Sequence, residues 1–226
     1  MNVKVRFLRE EERNYIRERD VWSPVNPLAL FYRHMFEEEL TRLFRRERLD
    51  LAGKKIVEAG CGYGEKTRLL IELGAEPENV CGFDADPEAL GRAARTVKGP
   101  VFNQADGVTL PYPNDAFDVA VLFLYMSVLE PGNVRPQAAN EITRVLRAGG
   151  YILWYDTMEK GGGYLWGLEP EEIQKLFPGY EPALHRFGLQ HRWATRIVYK
   201  SFEAARLLAR AGPAKSHVIG ILKQKF

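Results

Sequence analysis

The feature that most constrains this chain is a glycine-rich turn set between a short apolar run and an amphipathic stretch. Lys55 to Ala59 reads as a strand, Gly60 to Gly64 as a turn, and Glu65 to Leu73 as a helix with Leu69, Leu70 and Leu73 inward and Gly74 as its stop. Glycines accept positive φ and allow close approach to the backbone, while a helix start leaves N–H donors unpaired. The segment Glu58-Ala-Gly60-Cys61-Gly62-Tyr-Gly64 is therefore built to hold a polar ligand at the carboxyl edge of a sheet. Its spacing is G-x-G-x-G rather than the G-x-G-x-x-G of the dinucleotide fold, which weakens an NAD oxidoreductase reading.

The same alternation continues along the chain. A strand is expected at Val80 to Asp84, a helix opening at Pro87, strands at 101 to 104 and 117 to 124, a helix from Val134 to Leu146 and a strand at 151 to 156 after Gly149 and Gly150. Short β-rich runs separated by helices give a parallel sheet with crossover connections. The last third is less regular: a helix at Pro170 to Phe177, a strand at Glu181 to Phe187, two basic amphipathic stretches from His191 to Arg210, and a final strand in SHVIGILKQ. Ahead of the alternation, Leu28, Phe31, Met35, Leu40, Leu43 and Phe44 recur at helical spacing behind the Pro-broken WSPVNP. This predicts an N-terminal helical cap over 1–50 on a core of 51–226.

Composition excludes several classes. With 226 residues, 46% hydrophobic, and no repeat or low-complexity linker, the chain is a single globular domain rather than a disordered or solenoid protein. Its longest apolar stretch, Val119 to Leu129, falls short of the roughly 18 residues a membrane span needs, so no membrane partner is expected. The first residues lack a signal-peptide apolar region. Cys61 and Cys81 are too few for a disulfide framework, and a cytoplasmic, reduced setting follows. No metal site is expected. The formal charge of +2 conceals an asymmetry: from His185 to Phe226 nine Lys and Arg face one acid, Glu203, for +8, leaving −6 elsewhere. Such segregation is either an anion-binding face or a solvated face paired with the acidic part.

Two further acids stand at strand ends. Asp84 closes the second strand 24 residues after Gly60, where a carboxylate accepts from both hydroxyls of a ribose; the competing role, N-cap of the next helix, suits Asp86 better. Asp106 and Gly107 follow the third strand, placed either to read an adenine edge or to start a turn.

Taken together, IVEAGCGYG, CGFDADPEAL, QADGVTLPYPNDAFDVAVL and EITRVLRAGGYILWYD resemble the successive motifs of class I S-adenosylmethionine-dependent methyltransferases of the type 11 group, across roughly Leu51 to Asp156. The resemblance implies an α/β, Rossmann-like, seven-stranded mostly parallel sheet with its last strand antiparallel and helices on both faces. It implies S-adenosylmethionine as cofactor and S-adenosylhomocysteine as product. Glu58 would lie beside the methionine moiety, Gly60, Cys61, Gly62 and Gly64 in the cofactor loop, Asp84 at the ribose, Ala85 against adenine, Asp106 and Gly107 at the adenine edge, and Phe123 beneath the methionine. The family topology also makes 188–213 a basic helical insertion between the last two strands, above the site.

Two departures matter. Many members carry a His after the fourth strand, where this chain has Tyr125-Met-Ser127-Val-Leu-Glu130, so that general base is absent. Nor is there an Asn/Asp-Pro-Pro-Tyr/Phe motif for nitrogen nucleophiles, which argues against a nucleic-acid base as acceptor. Tyr125 and Glu130 are the candidate catalytic residues, and Asp156, Trp166, Arg192 and Arg196 the candidate substrate residues. Arg192, Arg196 and Lys200 share one helical face, over a Trp193, Ile197 and Phe202 core stripe if that face is merely solvated. The glycine-rich segment 157 to 168, with Gly161 to Gly163 and Tyr164, reads as a lid; Trp22 and Trp166 would be pocket walls, and His217 is structural. The expected function is O-methylation of a small, anionic or polyhydroxyl metabolite. RNA methylation through the basic segment and cofactor binding without catalysis are the alternatives.

Overall fold

The computed structural model describes residues 25–162 and 165–225. Trp22, Gly163 and Tyr164 lie outside them. The first element of the described residues is α1 (Pro27–Glu47), whose first turn is capped by Asn26 Oδ1 accepting from the Leu28 and Ala29 N–H groups. Then come β1 (Ile56–Ala59), α2 (Glu65–Glu72), β2 (Val80–Asp84), α3 (Pro87–Thr96), β3 (Val101–Gln104), β4 (Phe117–Phe123), α4 (Val134–Val145) and β5 (Leu146–Thr157). A two-stranded hairpin, β6 (Lys160–Gly162) and β7 (Leu165–Trp166), precedes α5 (Pro170–Leu176), β8 (Tyr180–Phe187), α6 (His191–Ile197), α7 (Phe202–Ala211) and β9 (His217–Gln224).

Seven strands form one sheet in the order β3-β2-β1-β4-β5-β9-β8. Strands β1 to β5 pair in parallel, and β9 runs antiparallel to both β5 and β8. The last strand alone is therefore reversed. This is the Rossmann-like sheet that the resemblance implies.

Every residue of β4 is buried because the strand is central and covered on both faces, which explains the unbroken apolar run read from the sequence. One core, against α4 and α5, gathers Ala120, Leu122, Ile152, Trp154 and Leu222. The other, on the face covered by α1, α2, α6 and α7, gathers Val119, Val121, Leu153 and Ile219 around Phe31, Phe36 and Leu40. Helix α1 is thus integral to the second core. Phe36, adjacent to the periodic stripe, is buried and stacks against Tyr155 at 4.3 Å between ring centroids.

The strand order reverses direction at β1 and β4, and the parallel strands point their carboxyl ends to one edge, where an open α/β sheet binds its ligands. Two local expectations change. The segment 157 to 168 is a hairpin rather than a bare loop, pinned by Gly167 N–H to Glu159 O and Leu168 N–H to Thr157 O. Trp193 is 41% exposed rather than core, the inward side of α6 being Ala194 and Val198.

Candidate functional site

The glycine turn after β1 is held by its neighbour strand. Cys61 N–H donates to Phe83 O (3.0 Å), and Gly62 N–H donates to Asp84 Oδ2 (2.8 Å), while Asp84 Oδ1 accepts from Asp86 N–H (2.9 Å). Asp84 is half-buried and so fixes the turn while its remaining lone pairs face outward. Asp86, as the residue types suggested, caps α3 through Glu88 and Ala89 N–H.

The glycines divide their work. At Gly60 (φ +65°) and Gly107 (φ +81°) a Cβ would collide with Tyr125, at 2.9 Å from its ring and at the hydroxyl respectively, so both are needed to seat that side chain. At Gly62 (φ +50°) nothing lies within 4 Å, leaving backbone open to a ligand. Gly64 (φ +81°) lets the start of α2 approach Ala93 and Val97. Cys61 points inward, its sulfur filling the space that Gly82 leaves in β2.

Tyr125 follows Leu124, a non-glycine residue in the left-handed region (φ 57°), whose N–H donates to Tyr155 O at 2.7 Å. Such a conformation costs about 1–2 kcal/mol and persists only where surroundings fix it. Here it turns the chain so that Tyr125 lies beneath the glycine turn, edge-on to Phe83 (5.8 Å). Its hydroxyl is buried without a hydrogen-bond partner among the described residues, and burial, with Asp106 and Asp84 nearby, pushes its pKa up, keeping it protonated. The structure thus brings Tyr125 together with the residues expected at the cofactor rather than with those expected at the acceptor.

Asp106 Oδ1 accepts from Val108 and Thr109 N–H, closing a turn, while Oδ2 has no partner among the described residues. Ala85 is half-buried, its carbonyl accepting from Gln104 Nε2. Glu58 is 2% exposed and its Oε2 accepts from Thr67 Oγ1 at 2.5 Å. Burial raises its pKa to about 7, against the opposing pull of Thr67 and Lys66. Above it, Phe123 at the end of β4 meets Phe36 (5.2 Å) and Tyr155 (6.3 Å), and Lys66 lies over the Phe36 ring.

The expected acceptor residues do not converge. Glu130 is exposed after the 3-10 turn Met126–Val128. Asp156 is instead sealed: it has no exposed surface, Oδ2 accepts from Ser127 N–H (3.1 Å) and Oδ1 from Thr157 N–H (2.8 Å), so it holds that turn against β5. Desolvation raises its pKa to about 6. Trp166 is half-buried in β7, its carbonyl accepting from Arg135. Arg192 and Arg196 flank Trp193 on the outside of α6.

Sequence reasoning missed Phe36, Thr67, Lys66 and Tyr155. Thr67 and Lys66 sit in the first turn of α2, where any side chain facing the sheet must meet Glu58, so the helix start was the available signal.

An open-faced glycine turn, a carboxylate at the next strand end, a half-free Asp106 and an unpaired buried hydroxyl together define a Rossmann-like protein with a site for a nucleoside-bearing ligand. Residues 57–154 match the family model described as a methyltransferase domain, which is consistent with the class I S-adenosylmethionine-dependent methyltransferases of the type 11 group that the sequence resembles. It is similar to the fatty-acid O-methyltransferase of Mycolicibacterium smegmatis, 35% identical over 109 residues, covering 47% of this chain and 38% of that protein. It is also similar to the phthiotriol/phenolphthiotriol dimycocerosates methyltransferase of Mycobacterium leprae, 32% identical over 110 residues, 48% of this chain and 39% of that one. The chain therefore spans under two fifths of these relatives' length. In fold it resembles an S-adenosylmethionine dependent methyltransferase from Mesorhizobium loti, with a TM-score of 0.61, 18% identity, and coverage of 82% and 97% of the two chains.

Proposed function

We propose that this chain methylates an oxygen of a small-molecule acceptor carrying a long apolar part, using S-adenosylmethionine. The observation that carries the cofactor half is the set formed at the carboxyl ends of β1 to β4 by Gly62, Asp84, Asp106 and the Tyr125 hydroxyl, which has no partner among the described residues. When bound, S-adenosylmethionine supplies a methyl group on a sulfonium whose departure leaves a neutral thioether. The chain's own residues then have mainly to bind, orient and exclude water, and alignment can supply on the order of 7–11 kcal/mol of a barrier.

Asp84 would accept from ribose hydroxyls, the open backbone at Gly62 would admit the ligand, and Asp106 Oδ2 would accept from the adenine amine. Glu58, buried and near neutrality in pKa, would ionise to face the cationic methionine end. Phe123, Phe36 and Tyr155 form an apolar aromatic wall that keeps water from that end. Tyr125 stays protonated and acts as a hydrogen-bond donor, not a base.

With Asp156 sealed, Glu130 stays exposed in the segment after β4, and the usual loop His is absent. That suits an acceptor already anionic, such as a carboxylate, which needs little base assistance. The printed activity of the mycolicibacterial relative supports the same class. The RNA alternative loses ground because Arg186, Arg206, Arg210 and Lys223 of the basic segment pair with Glu169, Glu38 and Glu47.

The test is incubation with methyl-labelled S-adenosylmethionine and a panel of long-chain carboxylic acids, sugars and a short RNA. Label in the ester fraction is expected. Label in RNA, or cofactor bound but never consumed, overturns this reading in favour of one alternative or the other.

A further inference from the structure

The outer faces of α6 and α7 carry a feature that cofactor binding does not use. Trp193 and Tyr199 are 41% and 60% exposed, and Leu207 and Leu208 are 67% and 42% exposed. Single exposed apolar residues are ordinary, but four on one helical pair, edged by cations, mark an interaction surface. The Arg192 and Arg196 guanidiniums stand 5.6 and 6.0 Å from the Trp193 ring centroid, so charge and aromatic surface are presented as one unit. Residues 192, 193 and 196 lie on one side of α6, opposite the buried Ala194, and the exposed Tyr199 and Lys200 follow in the turn after it.

These cations differ from most of the rest of the basic segment. Arg206 and Arg210 are paired with Glu38, Lys223 with Glu47 and Arg186 with Glu169, whereas Arg192, Arg196 and Lys200 have no acidic partner among the described residues. Lys215 and Lys225 bond backbone carbonyls instead of acids, so three of the five cations of the +8 segment without an acidic partner among the described residues stand beside exposed Trp and Tyr. Its place is also informative: α6 starts just beyond the carboxyl end of β8, and His191 N–H donates to Glu159, just past β5. The patch begins at the edge of the sheet where the candidate site opens.

We propose that this α6–α7 face docks the protein on an anionic lipid bilayer surface, with Trp193 and Tyr199 at headgroup depth and Arg192, Arg196 and Lys200 on the headgroup charges. An amphipathic surface of aromatic and aliphatic residues edged by arginine is what an interface with an apolar side and an anionic side selects. RNA would engage the arginines and Trp193 but offers no apolar phase for Leu207 and Leu208. The expectation of no membrane partner rested on the length of a span. Among the described residues no helix is long and apolar enough to cross a membrane, and lying on a surface requires none. The inference stands apart from methyl transfer, since docking is measurable without cofactor.

The experiment is flotation of the full chain with vesicles of phosphatidylcholine alone and of phosphatidylcholine mixed with phosphatidylglycerol. The chain is expected to float with the mixed vesicles, less so at high salt. Each anion-facing arginine is worth about fivefold in partition, so Arg192→Ala with Arg196→Ala should lower it about 25-fold. Leu207→Ser with Leu208→Ser should lower it at every salt concentration. Thermal midpoints near that of the unsubstituted chain verify folding in both variants. Absence from mixed vesicles, partition unchanged in both variants, or retention by RNA without vesicle binding overturns the proposal. Cofactor binding, measured separately by calorimetry, reports on the methyltransferase reading alone.

Discussion

Glu58 couples the site to pH. Its carboxyl, ordinarily near 4.5, titrates at about 7 in the folded chain because burial penalises the charged form. The unfolded chain therefore ionises first as pH rises past 4.5, and the stability lost accumulates to about 3 kcal/mol once pH exceeds 7. Glu58→Gln should raise the urea midpoint at pH 8 and change it little at pH 4.5. If the ionised carboxylate faces the cationic end of the cofactor, affinity of the unsubstituted chain falls as pH drops below 7, by up to about tenfold per unit, and the Gln variant shows no such slope. Calorimetric titrations across pH 5 to 8 check both halves. Tyr125 offers a second test. Its hydroxyl has no partner among the described residues, so Tyr125→Phe should leave the thermal midpoint unchanged or slightly higher, while S-adenosylmethionine affinity falls about fivefold to tenfold if that hydroxyl donates to ligand. Gly60 and Gly107 could be read from the sequence as permissive positions. That their missing Cβ atoms make room for Tyr125 could not, because the left-handed turn at Leu124 that aims the ring is a tertiary constraint.

At the scale of elements, the strand–turn–helix units were legible because each carries its own signals: apolar runs, a Pro at the first turn of α3, glycine after α2. The hairpin β6–β7 was not, since glycines there gave no strand pattern, and its pairing depends on backbone anchors to β5 and Glu159. Phe36 was missed because the stripe read on α1 was too narrow; the helix covers the sheet broadly enough to bury Met35 and Phe36 together. Phe36 ties α1 to the ends of β4 and β5. Phe36→Ala should cost about 3–5 kcal/mol in urea denaturation, as expected of a buried aromatic whose space cannot collapse. A loss under 1 kcal/mol would mean that α1 does not share this core.

Across the whole molecule, charge segregation in sequence proves to be partly pairing in space. Glu38 on α1 meets Arg42 of its own helix and Arg206 and Arg210 of α7, joining α1 to α7. Such partly exposed pairs contribute little singly, and a shared acid somewhat more, so Glu38→Gln should lower stability by about 1 kcal/mol at low salt and by less at high salt. An equal loss at both would assign Glu38 a packing role instead. The alternation of strands and helices and the strand-end acids were readable because pattern and spacing are local, whereas the reversed last strand followed only from the family resemblance. The acceptor side was not, because the residues expected there scatter: Asp156 to the core, Arg192 and Arg196 to the outer face of α6.

The central claim is that the cleft at the ends of β1, β2 and β3 binds S-adenosylmethionine through Asp84 and the glycine turn. Isothermal titration calorimetry with S-adenosylmethionine and S-adenosylhomocysteine tests it directly on the unsubstituted chain and on Asp84→Ala, with the thermal midpoint recorded for each. Saturable binding of both ligands by the first, and at least a tenfold weakening in a folded Asp84→Ala variant, is the predicted result. No binding, or binding indifferent to Asp84, would contradict it.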